Sequence, residues 1–166
     1  MAEFRWFGHN CIRFRAREAT ILFDPVDRAT GYTMPKQTAD IVTLSTGRRD
    51  DADLRAVKPP YQVLDGPGEY ELHEVFIAGL RTYRDPDKRK EKGHNTIYTA
   101  LAEGLTVVHL GSLGHKLNEE NTDLLSAVDV LFVPAGVVHR FEDFGDDFAV
   151  WVIFYGPTGG EAARPA

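Results

Sequence analysis

The sequence predicts a strand-dominated layered domain of the α/β (α+β) class. Short runs of β-branched and aromatic residues recur along the chain, and about ten of them have the length and patterning of strands. Helical patterning is confined to two segments. The 166 residues, of which 43% are hydrophobic and 27% charged, are typical of one globular domain with a single core. We therefore expect residues 1–155 to form one domain and residues 156–166 a flexible tail.

The first four strands are predicted from alternation and from the residues that stop them. Residues 4–7 and 11–15 flank a Gly-His-Asn turn, and the second run alternates between apolar and polar side chains as a half-buried strand does. The strand at residues 20–23 ends at Asp24-Pro25, because proline cannot continue a hydrogen-bonded ladder. Residues 40–44 are apolar on both faces, which predicts a central strand.

Six further strands complete the predicted pattern, at residues 61–64, 75–83, 96–102, 106–110, 128–133 and 148–155. The sequence Ala-Glu-Gly-Leu at residues 102–105 predicts a tight hairpin between two of them. One helix candidate is residues 51–57, which begin with acidic residues and stop before Pro59-Pro60. The other is residues 118–127, where an asparagine can cap the first turn.

The charge balance and the cysteine content exclude several classes of protein. Lys and Arg total 19 against 25 Asp and Glu, and the net charge of −6 argues against binding to nucleic acid or to an anionic membrane surface. The single cysteine, Cys11, excludes an internal disulfide and a cysteine-cluster zinc site. No apolar run has the length of a membrane span, and the N-terminus lacks the apolar core of a signal peptide. We expect a cytoplasmic protein.

Six segments, taken in order, carry a family resemblance. They are WFGHNC at residues 6–11, ILFDP at 21–25, ADIV at 39–42, DGPGEY at 65–70, NTIY at 95–98 and HLGSLGH at 109–115. Over residues 3–134 the chain resembles the metallo-β-lactamase superfamily, and within it the small, loosely characterised group of metal-dependent hydrolases. The resemblance implies an αββα sandwich of two mixed sheets whose loops hold metal at one edge. Because the chain is short for that family, we expect the sandwich to be incomplete at its C-terminal end.

The metal-binding loop of that family is changed at most of its ligand positions. The family carries H-x-H-x-D-H after the strand that corresponds to residues 41–44, and two zinc ions held there activate a water nucleophile. Here Thr46 and Arg48 stand at the first two histidine positions, Asp50 keeps the aspartate, and Asp51 replaces the last histidine. Ser112 stands where the family has a bridging aspartate. Since a guanidinium stays protonated and cannot bind a metal, the sequence predicts that the standard dinuclear zinc site is absent.

A reduced site is an alternative that the sequence leaves open. One divalent metal could be held by mixed nitrogen and oxygen ligands on loops that the family architecture brings to one edge. The candidate ligands are His9, Asp50, Asp51 and His115. If such a site hydrolyses a substrate, His9 and Asp50 are the candidate catalytic residues.

The remaining histidines, the cysteine and the glycine-rich turn favour structural roles. His109 lies in an apolar strand and is interpreted as a core histidine, whereas His73 and His94 are placed in turns. Cys11 is interpreted as a small buried side chain without a catalytic partner. The DGPGEY segment predicts a turn, and because no helix follows it we expect no nucleotide-binding site.

The C-terminal part of the chain departs from the family pattern. Residues 129–155 resemble the second conserved motif of cupins, P-x-G-x-x-H-x-x-x-N, whose metal-binding histidine would be His139. Because the H-x-H of the first cupin motif occurs nowhere in the chain, a cupin metal site would be incomplete. What remains is a predicted hairpin with a strand up to Val133 and another at residues 148–155. We expect a second copy of the chain to cover part of its aromatic face, in a homo-oligomer.

Three functions follow from these observations. The favoured one is a degenerate metallo-β-lactamase-fold protein in which Arg48 and Arg49 pair with Asp50, Asp51 or Asp53 and so replace the metal, with a cleft left for a small-molecule ligand. The second is a metal-dependent hydrolase with the mononuclear site, acting on an ester, amide or phosphodiester. The third is a non-enzymatic oligomeric interaction protein.

Overall fold

The computed structural model describes residues 1–26, 30–49, 52–86, 92–117 and 127–133. Ten of the strands within these ranges form two five-stranded sheets, and the remaining two pair with each other. In chain order the strands are β1 (Glu3–Gly8), β2 (Cys11–Arg15), β3 (Thr20–Phe23), β4 (Gln37–Thr38), β5 (Ile41–Thr43), β6 (Val57–Lys58), β7 (Gln62–Leu64), β8 (Gly68–Leu72), β9 (Val75–Tyr83), β10 (His94–Ala102), β11 (Leu105–His109) and β12 (Val130–Phe132).

The first sheet has the strand order β1-β2-β3-β5-β7. Strands β1, β2 and β3 are antiparallel, whereas β3, β5 and β7 run parallel to one another. The side chains of β3 alternate between two apolar clusters, with Ile21 and Phe23 on one face and Leu22 on the other. Because both faces are covered, most residues of the parallel strands are apolar, and Thr20, Thr43 and Gln62 are the polar ones.

The second sheet has the order β12-β11-β10-β9-β8 and is antiparallel except for the pair β11 and β12. Its longest strands, β9 and β10, have nine residues each. Both sheets are therefore mixed, as the family resemblance implied.

The largest apolar cluster joins the facing sides of the two sheets. Phe14, Phe23 and Ile41 enter it from the first sheet, and Ile77 and Tyr98 enter it from the second. These side chains are entirely buried. On the opposite side of the first sheet, a second cluster packs Cys11, Leu22 and Val42 under the segments that carry Met34 and Val57.

Most of the predicted strands that fall on described residues lie where the sequence placed them, and one of the two helix candidates does not. Residues 118–126 of one helix candidate lie outside the described residues, as does the predicted strand at 148–155. In the other candidate, the structure has a three-residue 3-10 helix, Leu54–Ala56, and then strand β6. The prediction of a helix through Val57 is wrong because Val57 and Lys58 pair with β4 instead. In the described part of the chain, no helix is long and apolar enough to cross a membrane.

Candidate functional site

The candidate site lies at one edge of the molecule, where strands from both sheets end. Asp24 follows β3, Ser45 comes two residues after β5, and Gly111 and Ser112 follow β11. Parallel strands present their carboxyl ends at a common edge, which places the side chains after β3 and β5 together. The turn between β1 and β2 adds Asn10 to the same group, since its side-chain amide donates a hydrogen bond to the Ser112 hydroxyl at 3.2 Å.

Asp24 anchors the start of the loop that corresponds to the metal-binding loop. One of its carboxylate oxygens, Oδ1, accepts the backbone N–H of Ser45 at 2.7 Å, and the other, Oδ2, accepts the Ser45 hydroxyl at 2.6 Å. Asp24 has a φ of 41°, in the left-handed region that non-glycine residues rarely adopt. The two hydrogen bonds hold this carboxylate against the backbone and side chain of Ser45.

Gly111 brings the loop after β11 into direct contact with the loop after β5. Its φ is 61°, and a Cβ atom at this position would lie 2.4 Å from Ser45 Cβ and 2.6 Å from Asn95 Oδ1. The Ser45 carbonyl accepts the backbone N–H of Thr96 at 2.7 Å, which ties the same loop to β10. The two loops that carry metal ligands in the family are thus packed against each other here.

Asn95 joins the two central strands of the second sheet to the loop after β11. Its side-chain amide donates to Thr82 Oγ1 at 2.8 Å and to the Leu110 carbonyl at 3.0 Å, and its Oδ1 accepts the Ser112 N–H at 2.7 Å. The side chain is fully buried and makes all three bonds with protein groups. Asn95 therefore fixes the backbone of Ser112.

His109 is a buried histidine between the sheets, as the sequence predicted. Its ring stacks between Phe23 and Phe132, with centroid distances of 5.0 and 5.1 Å. Nε2 lies 2.8 Å from the Asn10 carbonyl, and because a carbonyl only accepts, Nε2 carries the proton. Nδ1 lies 4.0 Å from Asp24 Oδ2 and has no hydrogen-bond partner among the described residues. Burial lowers the pKa of His109, and the Asp24 carboxylate opposes that shift.

The structure does not bring the predicted metal ligands into one described cluster. His9 is an exposed turn residue with a φ of 48°. His115 uses both ring nitrogens, since Nε2 accepts the Tyr83 N–H at 3.2 Å and Nδ1 lies 2.7 Å from the Lys116 carbonyl. Asp50 and Asp51 lie outside the described residues. Within the ranges that the structure describes, no group of three or more His, Cys, Asp or Glu side chains could hold a metal ion.

The arginines of the loop are on the surface. Arg49 forms an ion pair with Asp65, its Nε 2.7 Å from Oδ2, and this links the loop to the turn before β8. The sequence had not suggested Asp65 as a partner. Asp53 lies 3.3 Å from the guanidinium of Arg55. Arg48 is exposed, and its backbone N–H donates to the Thr46 hydroxyl at 3.4 Å.

Comparison with known families identifies this arrangement of sheets and edge loops. Residues 3–142 match the model of the β-lactamase superfamily domain. The chain belongs to the metallo-β-lactamase superfamily. The superfamily match overlaps the segment with cupin resemblance, and the cupin likeness stays a prediction. No curated protein matches the chain.

Two solved structures show the same fold. The chain is 34% identical to a Thermotoga maritima protein provisionally described as a zinc-dependent hydrolase of the metallo-β-lactamase superfamily, with a TM-score of 0.64. That match covers 79% of this chain and 60% of the T. maritima chain. A diiron β-hydroxylase from Streptomyces venezuelae, CmlA, shares the fold at 13% identity and a TM-score of 0.56, over 80% of this chain and 34% of its own. The chain thus spans less than two thirds of either structure.

Three of the superfamily's ligand positions carry residues other than histidine or aspartate. Thr46 and Ser112 offer neutral hydroxyls, and Arg48 offers a cation. Structural and catalytic zinc sites are built from thiolate, imidazole and carboxylate ligands.

The sequence pointed to this edge but not to the residues that organise it. Asp24 and Asn95 both lie in segments that carry the family resemblance, but the sequence assigns neither of them a role at the site. The Asp-Pro step after an apolar strand was the available signal for Asp24. Nothing local predicted the contact of Gly111 with Ser45, which depends on the packing of two sheets.

Proposed function

We propose that this chain is a metallo-β-lactamase-fold protein that does not form the standard dinuclear zinc site and keeps the hydrolase-like scaffold without its usual metal chemistry. The observation that carries the proposal is Arg48 at a histidine position of the metal-binding loop. A guanidinium supplies no lone pair to a metal, and its positive charge repels a dication.

The hydrogen bonds of Ser112 support the proposal. Its hydroxyl accepts a bond from Asn10, and its N–H is held by Asn95. A serine in these bonds cannot replace a bridging carboxylate, because a neutral hydroxyl neither carries the negative charge nor offers two oxygens to two metals.

The competing function is hydrolysis by a single metal held by His9, Asp50, Asp51 and His115. The geometry of His115 argues against its part in such a site. To bind a metal through Nε2 it would have to release the Tyr83 N–H, and through Nδ1 it would have to break the contact with the Lys116 carbonyl. Either change leaves a backbone group without its partner.

Metal analysis of the purified chain tests the proposal. Protein prepared without added zinc, then dialysed against zinc, should hold well under one equivalent by elemental analysis. One tightly bound equivalent that is lost in Asp50→Ala would overturn the proposal in favour of the mononuclear hydrolase. One equivalent that survives Asp50→Ala would overturn it as well and place the metal elsewhere. His73→Ala, at an exposed turn, is the matched control for adventitious binding.

Function by oligomeric interaction and ligand binding stays a prediction. Light scattering at micromolar concentration distinguishes a monomer from the expected homo-oligomer. A monomeric mass would argue against the interaction protein and would leave the proposal on metal binding unaffected.

A further inference from the structure

The pair formed by the buried His109 and the partly buried Asp24 has a geometry that the proposed function does not use. We propose that the folded protein takes up a proton at Nδ1 of His109 and holds it against Asp24. The pair would then act as a pH-sensitive contact that joins the two sheets to the loop at Ser45.

Three contacts fix which nitrogen can take the proton. Nε2 already donates to the Asn10 carbonyl at 2.8 Å, so its hydrogen is committed. Phe23 and Phe132 stack on opposite faces of the ring, with interplanar angles of 19° and 7°. The two stacks fix the plane of the ring, and a half-turn flip that keeps that plane would lose the hydrogen bond to the Asn10 carbonyl. Nδ1 is therefore the lone-pair nitrogen, and it faces Asp24 Oδ2 at 4.0 Å.

Asp24 is the charged group that acts on this histidine in the described structure. Its carboxylate opposes the effect of burial on the pKa of His109. Two further titratable side chains lie near the ring, those of Tyr98 and Cys11, and both stay uncharged from about pH 8 to about pH 5. Tyr98 is the register partner of His109 on β10, and burial raises its pKa. Cys11 follows Asn10 on β2, and burial raises its pKa to about 12.

The same carboxylate connects the histidine to the edge loop. Asp24 Oδ2 accepts the Ser45 hydroxyl at 2.6 Å and Oδ1 accepts the Ser45 N–H at 2.7 Å. A protonated Nδ1 places a positive charge 4.0 Å from Oδ2, and this charge competes with the Ser45 hydroxyl for the carboxylate. Ser45 begins the loop that carries Arg48 and Arg49, and the protonation state of a core histidine is thus transmitted to the surface.

Histidine-ring NMR of the whole chain tests this inference. We follow the ring nitrogens and the Ser45 amide from about pH 8 down to the onset of acid unfolding, because burial lowers the pKa of His109 below its ordinary value. We expect the Nε2–H tautomer at high pH, protonation of the ring while the protein stays folded, and a shift of the Ser45 amide with the same midpoint. An Nδ1–H tautomer, or a ring that takes up no proton until the protein unfolds, would overturn the proposal.

Two substitutions test the part of Asp24. In Asp24→Asn the His109 midpoint should move to lower pH, because the charge that favours the imidazolium is gone. In Ser45→Ala it should move to higher pH, because Oδ2 no longer accepts a competing hydroxyl. Asp40→Asn is the matched control, since Asp40 accepts the Thr20 N–H at 2.7 Å before β5, away from His109. An unchanged midpoint in Asp24→Asn would refute the pairing. If that variant does not fold, the wild-type tautomer and Ser45→Ala decide the question.

Discussion

The polar side chains at the site edge are held by bonds to backbone groups. Asp24 binds the Ser45 N–H, Asn95 binds the Leu110 carbonyl, and His109 binds the Asn10 carbonyl. Backbone partners are fixed by the strands that lead to them, so these side chains keep their orientation without a ligand. The orientation of these three side chains is therefore set by the fold.

The buried histidine predicts how stability depends on pH. The unfolded chain binds a proton on this side chain near the ordinary pKa of 6.5, whereas burial lowers the pKa in the folded state. Below that pH the unfolded state holds more protons, so the contribution of His109 is full above about pH 6.5 and is lost as the pH falls. We expect the free energy of unfolding to decline there, by at most about 1.4 kcal/mol per pH unit for one proton.

Urea denaturation at neutral and mildly acidic pH measures this decline. His109→Gln should flatten it, because glutamine can still donate to the Asn10 carbonyl but does not titrate. His73→Gln, at an exposed turn, should keep the wild-type dependence. The same decline in His109→Gln as in the wild type would show that another group controls the acid response.

The loops after β5 and β11 are in contact at Gly111. Gly111→Ala should lower the free energy of unfolding by about 3 kcal/mol, because its Cβ would lie 2.4 Å from Ser45 Cβ and the backbone is left-handed. Gly104→Ala isolates the backbone cost, since Gly104 has a φ of 74° and nothing within 4 Å of the added atom. We expect a loss of about 1 kcal/mol there. Equal losses in the two variants, measured by chemical denaturation, would contradict the contact.

The sequence predicts the strands well because their signals are local. The runs at residues 11–15, 20–23 and 75–83 coincide with β2, β3 and β9, since alternation and stop residues are properties of each segment alone. Strands β4 and β6 were missed because each has two residues and exists only through its partner. The turn predicted at DGPGEY is likewise shorter than expected, as β8 already begins at Gly68 and pairs with β9.

The site was less predictable than the fold because its contacts join distant segments. Ser45, Asn95 and Gly111 meet across two sheets, and no spacing in the sequence signals that meeting. The family motif indicated the loop after β5 and the change of its ligands. It could not show that Arg49 pairs with Asp65.

Across the whole molecule, the two sheets are joined by apolar packing and by a few polar bonds between them. The Tyr98 hydroxyl on β10 donates to the Leu64 carbonyl at 3.1 Å and lies 3.2 Å from the Gly66 carbonyl, at the end of β7 in the other sheet. His109 makes the corresponding bond to Asn10 nearer β1 and β2. One bond reaches the start of the turn after β7, and the other reaches the turn between β1 and β2. The packing of the sheets therefore helps to position both turns.

This coupling predicts that a single hydroxyl stabilises the sandwich. Tyr98→Phe should lower the free energy of unfolding by about 1 kcal/mol, because it removes a buried hydrogen bond between the sheets, while the Leu64 carbonyl keeps the Leu44 N–H as a donor at 2.8 Å. Tyr70→Phe is the matched control, since Tyr70 is partly exposed and its hydroxyl donates to the same Gly66 carbonyl at 3.0 Å. Water can replace that bond, and we expect a change within about 0.5 kcal/mol. Chemical denaturation of the two variants measures the difference, and losses of equal size would show that the inter-sheet bond adds nothing to stability.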